Sequence, residues 1–340
     1  MMLKKNIFII RSPLQLINAF EAQQYFNTKN NMLLIMHTRK NKKNKAMIEH
    51  TLRYFNLDQY FSIEICELKE TQSKFFLMRK LVNRYKKYEF DRVFIGDVGS
   101  MQIVLAANLN AQSIYHLDDG TKTISDQKSK LFLPESYKYF SLKKKLRFIR
   151  YRLLGLDYYL DRPINLFTMF DLEKLPGQKI VRNEYSVVNN NFLKTKTYND
   201  KVVYFIGQNI YRKEILDAEE YYFDMIKKVK NKLADKKLLY FPHRGEDIPT
   251  VKNKLSDMNI ELYIPELPIE LELLNFEQYP KNIISFTSTA LVTISKIFFK
   301  ANAYYIQIPN DIYKNQRLYI NFNSKYDFFS TIKELKKWPS

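Results

Sequence analysis

Through the first 120 residues, short apolar runs alternate with segments of helical period. Residues 6–11 carry Ile7, Phe8, Ile9 and Ile10 in succession and read as a strand. Residues 14–26 follow with Leu14, Ile17 and Phe20 on one face, the spacing of a helix. The same rhythm predicts strands at 32–37, 61–67, 92–96 and 113–117, with helices at 46–55, 75–85 and 101–109 between them. Strands separated by helices of this length pair in parallel, since antiparallel neighbours need only a short turn. The alternation resumes after residue 200. Strands are predicted at 202–206, 238–241, 261–264, 283–286 and 303–308, and helices at 221–233, 250–258, 269–276 and 289–299.

Between these halves the pattern changes. Residues 128–165 mix lysine, arginine, tyrosine and leucine, and read as a basic helical insertion. Residues 187–199 are polar and asparagine-rich, the best candidate linker. The expected organisation is α/β, with doubly wound Rossmann-like domains over 1–190 and 200–340 facing a central cleft. Ligands of such sheets bind beyond the carboxyl ends of the strands.

Composition narrows the function. The 340 residues are 46% hydrophobic, enough for two cores and against disorder. Lys and Arg outnumber Asp and Glu by 55 to 36, a net charge of +19 that favours an anionic partner. One cysteine, Cys66, excludes a disulfide framework and a multi-thiolate zinc site, and four histidines leave little for a histidine metal centre. No glycine-rich dinucleotide or P-loop motif is present. The apolar run at Ile7–Ile10 is cut by Arg11 and Pro13, too short for a leader peptide, and no stretch approaches a membrane span. The expectation is a cytoplasmic protein, with peripheral contact at the inner face of the inner membrane left open.

The strand ends hold the candidate chemistry. After the first strand, Ser12 can cap the next helix with Pro13 in its first turn and Gln15 beyond, either as a plain cap or as part of a ligand-facing edge. Strand 113–117 runs into Asp118, Asp119 and Gly120. Adjacent carboxylates at a strand end point to opposite sides, so one can face the cleft while the other holds the turn. Strand 202–206 ends in Gly207 and Gln208. Strand 238–241 ends in Pro242, His243 and Arg244, an imidazole and a guanidinium suited to phosphate. Strand 283–286 ends in Thr287, Ser288 and Thr289 at a helix start, which is either an ordinary cap or an anion site. Glu266 and Glu270, beside another helix start, read as capping charges or as acceptors for ribose hydroxyls. His37 and His116 read as buried strand histidines.

In this order, Arg11-Ser12-Pro13-Leu14-Gln15, His116-Leu117-Asp118-Asp119-Gly120-Thr121, Phe205-Ile206-Gly207-Gln208, Tyr240-Phe241-Pro242-His243-Arg244 and Ser285-Phe286-Thr287-Ser288-Thr289 resemble the motifs of bacterial sialyltransferases, nearest glycosyltransferase family 52. The resemblance spans about residues 5–310. It implies a GT-B fold and inverting, metal-independent transfer of sialic acid, or a related nonulosonic acid, from a CMP-activated donor. The acceptor it implies is a cell-surface glycan such as lipooligosaccharide or capsule. It places the general base at Asp118 or Asp119, the phosphate-assisting group at His243, and the phosphate-holding hydroxyls at Thr287, Ser288 and Thr289. Gly207, Gln208, Arg244, Glu266, Glu270 and Ser285 fall to the donor side. Ser12, Pro13 and Gln15 fall to the acceptor side. No cofactor is implied beyond the donor itself. Two departures stand out. Arg244 follows His243 where the motif has proline, and after Gly207 no carboxylate occurs before Glu214.

Rival readings remain. Family 52 also includes glucosyl transfer. A nucleic-acid binder is suggested by charge and 25 tyrosines, but the basic residues are spread widely and form no recognisable module. The basic segment 141–152 is a solvated face, a guide for an acidic acceptor, or a helix lying on anionic lipid with Phe148, Tyr151, Leu153 and Leu154 toward the membrane. Pairing of two copies is open.

Overall fold

The computed structural model describes residues 4–38, 42–68, 73–99, 101–140, 142–192, 197–211, 219–298 and 300–339. The chain divides into two compact units, Met1–Val187 and Val188–Ser340.

In the first unit, β1 (Lys5–Ile10) leads through α1 (Pro13–Tyr25), β2 (Asn31–Thr38), α2 (Lys42–Tyr54), β3 (Ser62–Leu68), α3 (Lys74–Tyr85), β4 (Glu89–Ile95) and α4 (Met101–Ala107) to β5 (Asn110–Leu117). Next come α5 (Lys122–Lys128), α6 (Leu142–Leu153), β6 (Asn165–Thr168) and β7 (Ile180–Arg182). The strands form one parallel sheet in the order β3-β2-β1-β4-β5-β6-β7. Ile7 through Ile10 are wholly buried on both faces, which is why β1 reads as an unbroken apolar run rather than an alternation. The chain builds β2 and β3 to one side of β1, then returns on the other side as β4. The loops leaving β1 and β4 therefore diverge, the switch point at which open α/β sheets place ligands.

The second unit repeats this plan. Following α7 (Ser186–Phe192), which straddles the boundary, it runs through β8 (Thr197–Ile206), α8 (Glu219–Lys232), β9 (Lys237–Phe241), α9 (Ile248–Ser256), β10 (Glu261–Leu262), α10 (Ile269–Glu272), β11 (Gln278–Ser285), α11 (Thr289–Ile297), β12 (Asn302–Tyr305), α12 (Gln316–Thr331) and β13 (Leu335–Lys337). Its parallel order is β10-β9-β8-β11-β12-β13, with the switch between β8 and β11.

Several expectations change. The polar stretch 187–199 is mostly regular structure: α7 occupies its start, and Thr197 to Asn199 already pair with Gln278 to Pro280 of β11. Tertiary pairing there overrides weak local patterning. The expected helix at 269–276 is one turn, α10, continued as a 3-10 turn through Asn275. In α6, Phe148 and Tyr151 do not face outward. Both are buried, Phe148 stacking on Tyr158 at 4.6 Å and Tyr151 against Phe75 at 4.7 Å, while Leu153 is 82% exposed. The aromatic side of that helix is its core side, because large rings gain most from burial. Leu154, also expected to face lipid, packs against the same core. Among the described residues no helix is long and apolar enough to cross a membrane.

Candidate functional site

At the carboxyl edge of the first unit, Ser12 caps α1: its Oγ accepts from Gln15 N at 3.2 Å, with Pro13 in the first turn. The same hydroxyl donates to Asp119 Oδ1 at 3.4 Å, so cap and site contact coexist. Gln15 is buried beneath. Its Oε1 accepts from Arg11 N at 2.8 Å and its Nε2 donates to Gly96 O at 3.1 Å, joining the exits of β1 and β4. A Cβ on Gly96 would strike the Gln15 side chain, which explains a glycine there. Gln15 thus braces the switch point, with its amide engaged inside the protein.

The two aspartates separate as the alternation requires. Asp118 is wholly buried, accepts at Oδ2 from Met169 N at 2.7 Å, and offers its carbonyl to Asn18 Nδ2 at 3.0 Å. Asn183 Nδ2 in turn donates to Asn18 Oδ1 at 3.1 Å. Asp118 therefore ties β5 to β6 and α1. Burial pushes its carboxyl up to about 7. Asp119 is only partly buried and meets Ser12. Burial raises its pKa, and the nearby Asp97 charge adds to this, while hydrogen bonds from Gln15 and Ser12 and the Lys122 charge oppose it. A carboxylate moved up toward neutrality is a better proton acceptor at working pH. Gly120 has φ +70°, the left-handed turn that lets the chain leave the strand here. Lys122 lies 3.2 Å from Asp97 and 2.5 Å from Asp126. His116 is buried, and burial together with the Lys122 charge lowers its pKa to about 3, so it is neutral and structural. His37 is buried as well.

The Asp118 arrangement has a measurable consequence. Its folded-state pKa lies above the unfolded value near 3.9, so the protonated form favours folding. That contribution is complete below about pH 4 and is lost as pH rises through about 7. Asp118→Asn should match the wild type at pH 4 and exceed its unfolding free energy at pH 8 by a few kcal/mol, since each tenfold change in proton affinity is worth about 1.4 kcal/mol. Denaturant titrations at both pH values check this; a variant less stable at pH 8 would contradict it.

In the second unit the exits of β8, β9 and β11 are tied into one hydrogen-bonded cluster. Gly207 N donates to Phe241 O at 2.8 Å, and a Cβ at Gly207 would run into the Tyr240 hydroxyl and the Glu246 carboxylate. Gln208 spans the switch point: its Oε1 accepts from Thr287 N at 2.6 Å and its Nε2 donates to Thr287 Oγ1 at 3.4 Å. Its backbone N–H donates to the Tyr222 hydroxyl at 2.8 Å. Tyr222 and Tyr240 share a hydroxyl contact of 2.9 Å, and Tyr240 donates to Glu246 Oε1 at 2.8 Å. Burial raises both phenols well above their ordinary range, so both stay neutral donors.

Glu246 was not among the sequence candidates. It is buried, and its Oε2 accepts from His243 N at 2.6 Å while its own N–H donates to His243 O at 2.9 Å, closing a turn over 243–246. The Gly-Glu pair after His-Arg was the available signal. His243 itself is exposed, and its Nδ1 accepts from Gly245 N at 3.1 Å. That bond leaves the proton of the neutral ring on Nε2. Arg244 is also exposed, and its charge acts on the buried Glu270, whose pKa is raised by desolvation and opposed by Arg244. Ser288 is the N-cap of α11 but makes no side-chain capping bond, and Thr289 opens the helix.

Two donor-side candidates lie elsewhere. Ser285 is fully buried and donates to Ile206 O at 2.7 Å, a tie between adjacent strands. Glu266 is an exposed loop residue whose N–H is held by Glu272 at 3.1 Å. Glu272 also takes Leu267 N and the Tyr263 hydroxyl, so it shapes that loop. Two open hollows of the second unit, about 360 and 500 Å³, lie at the entry ends of β8 and β9, away from this cluster.

No protein-family model matches the sequence, and no curated protein matches it. Solved structures do share its fold. A UDP-GlcNAc 2-epimerase from Neisseria meningitidis, bound to UDP-GlcNAc, is 13% identical with a TM-score of 0.50, over 95% of this chain and 89% of that one. Another UDP-N-acetylglucosamine 2-epimerase is 13% identical with a TM-score of 0.51, over 93% of this chain and 81% of that one. The chain thus has the GT-B fold of two doubly wound parallel-sheet units.

Proposed function

We propose that the chain is a nucleotide-sugar-dependent glycosyltransferase that moves sialic acid, or a related nonulosonic acid, from a CMP donor to a cell-surface glycan such as lipooligosaccharide or capsule. The observation that carries this reading is the clustering of three motif-bearing strand exits at the switch point of the second sheet. In this reading the second unit holds the donor. His243 Nε2–H, the Arg244 guanidinium and the first N–H groups of α11 are fixed donors for the departing phosphate, which already carries charge. Such donors stabilise departure without a metal, so transfer should proceed in EDTA. Asp119 is the proposed base for the acceptor hydroxyl, whose attack inverts the anomeric centre.

The fold shared with UDP-GlcNAc 2-epimerases favours a second reading, in which the donor is a UDP sugar. Thermal unfolding with CMP and with UDP separates the two. A ligand at 100 times its dissociation constant adds about 2.7 kcal/mol, a shift of several degrees in a chain of this size. CMP should raise the midpoint and UDP should not; the reverse result would replace the CMP donor with a uridine one.

A further inference from the structure

Helix α6 presents an apolar stripe to the outside. Leu142, Leu146, Ile149 and Leu153 are 73%, 56%, 48% and 82% exposed. At about 100° per residue they fall within a single narrow stripe on the helix. The opposite face is anchored, with Phe148 and Tyr151 buried in the core of the first unit. Arg150 flanks the stripe on one side, and Lys145 and Arg152 flank it on the other, all three at least partly exposed. The sequence places Lys143, Lys144 and Arg147 on the same helix and no acidic residue. Four large aliphatic side chains aligned in water are unusual on a monomer surface and mark a contact.

We infer that α6 is an in-plane membrane anchor: its stripe enters the headgroup boundary of an anionic bilayer while the flanking cations meet lipid phosphates. Charge complementarity selects this occupant. A second copy would set one all-basic helix against another, and like charges at close range disfavour that pairing. A neutral membrane would offer Lys145 and Arg152 no opposite charge, while Arg150 already lies over the Phe75 ring at 5.7 Å. The orientation departs from the sequence expectation at Phe148, Tyr151 and Leu154, which pack on the protein, and keeps it at Leu153, which lies in the exposed stripe. This inference is independent of which sugar nucleotide the protein uses.

The test is co-sedimentation of the full chain with vesicles of phosphatidylcholine alone or with about one-third phosphatidylglycerol, the regime in which surface helices combine apolar insertion with charge. The wild type should sediment with the anionic vesicles only. Leu146→Ser with Leu153→Ser should weaken binding roughly tenfold or more, with an unchanged thermal midpoint showing that the fold survives. Lys145→Glu with Arg152→Glu should abolish the preference for anionic lipid. Equal binding by the leucine variant would reduce the contact to simple polycation adsorption and overturn the insertion. So would a wild type that binds neither vesicle, a dimer that the leucine variant dissociates, or RNA binding that the leucine variant loses.

Discussion

Asp119→Asn is expected to lower the rate of transfer by about 100- to 10,000-fold, with nucleotide binding retained. The carboxylate sits at the exit of β5, partly exposed, against the hydroxyl that caps α1. An amide preserves that contact and the shape of the turn but cannot take a proton. The pH profile provides the second readout. The base acts when ionised, so activity should rise with pH through the pKa of Asp119, which burial and the Asp97 charge displace upward from the ordinary carboxylate range. The variant should lose that acidic limb. Asp118→Asn, one residue away, should keep most of its turnover, because that carboxyl holds Met169 N in the interior. Near-normal transfer by Asp119→Asn would remove it as the base; a large loss in Asp118→Asn with intact folding would move the role there.

The second large effect is expected at His243. Replacement by alanine should cost about 100- to 1,000-fold in turnover, the usual consequence of deleting one fixed donor to developing negative charge. His243→Gln, which keeps an N–H donor, should recover part of this. The imidazole has its orientation set from below: Gly245 N–H occupies Nδ1, and Glu246 grips the His243 backbone while accepting from Tyr240. Single-turnover measurements at saturating donor separate a loss in the chemical step from weaker binding. If the alanine variant turns over at close to the wild-type rate, the imidazole does not assist the leaving phosphate.

Much of this architecture is visible in the residue pattern because parallel strands buried on both faces announce themselves as apolar runs. β1, β2, β4, β8, β9 and β11 carry such runs, whereas β3 alternates apolar and charged positions and β10 is two residues long; the helices between them carry a regular period. Elements escaped where length or partner mattered more than pattern. β6 and β7 are four and three residues long, too short to show a period, and are defined by pairing to β5 and to each other. α12 does show a period, with Phe322, Tyr326 and Phe329 buried, but it lies beyond the last predicted strand. Candidate site positions could be chosen from the sequence because ligands of such sheets bind beyond the strand ends. Roles were less so. Nothing local distinguishes Ser285, which closes a bond inside the sheet, from Thr287, which meets Gln208. Likewise, the importance of Glu246 comes from a tyrosine six residues earlier and another on α8. Glu214, the first carboxylate after Gly207, lies outside the described residues.

The polar belt under the first edge has an evolutionary consequence. Gln15, Gln102, Asn18, Asn183 and Asp118 are linked to one another and to the adjoining backbone, although Asp118 Oδ1 is buried without a hydrogen-bond partner among the described residues. Most of these bonds lie within the belt, with Gln15 also reaching Asp119 above it. Exchanging outer residues to recognise a new acceptor therefore disturbs the framework less than a substitution within the belt, which would reach several strand exits at once.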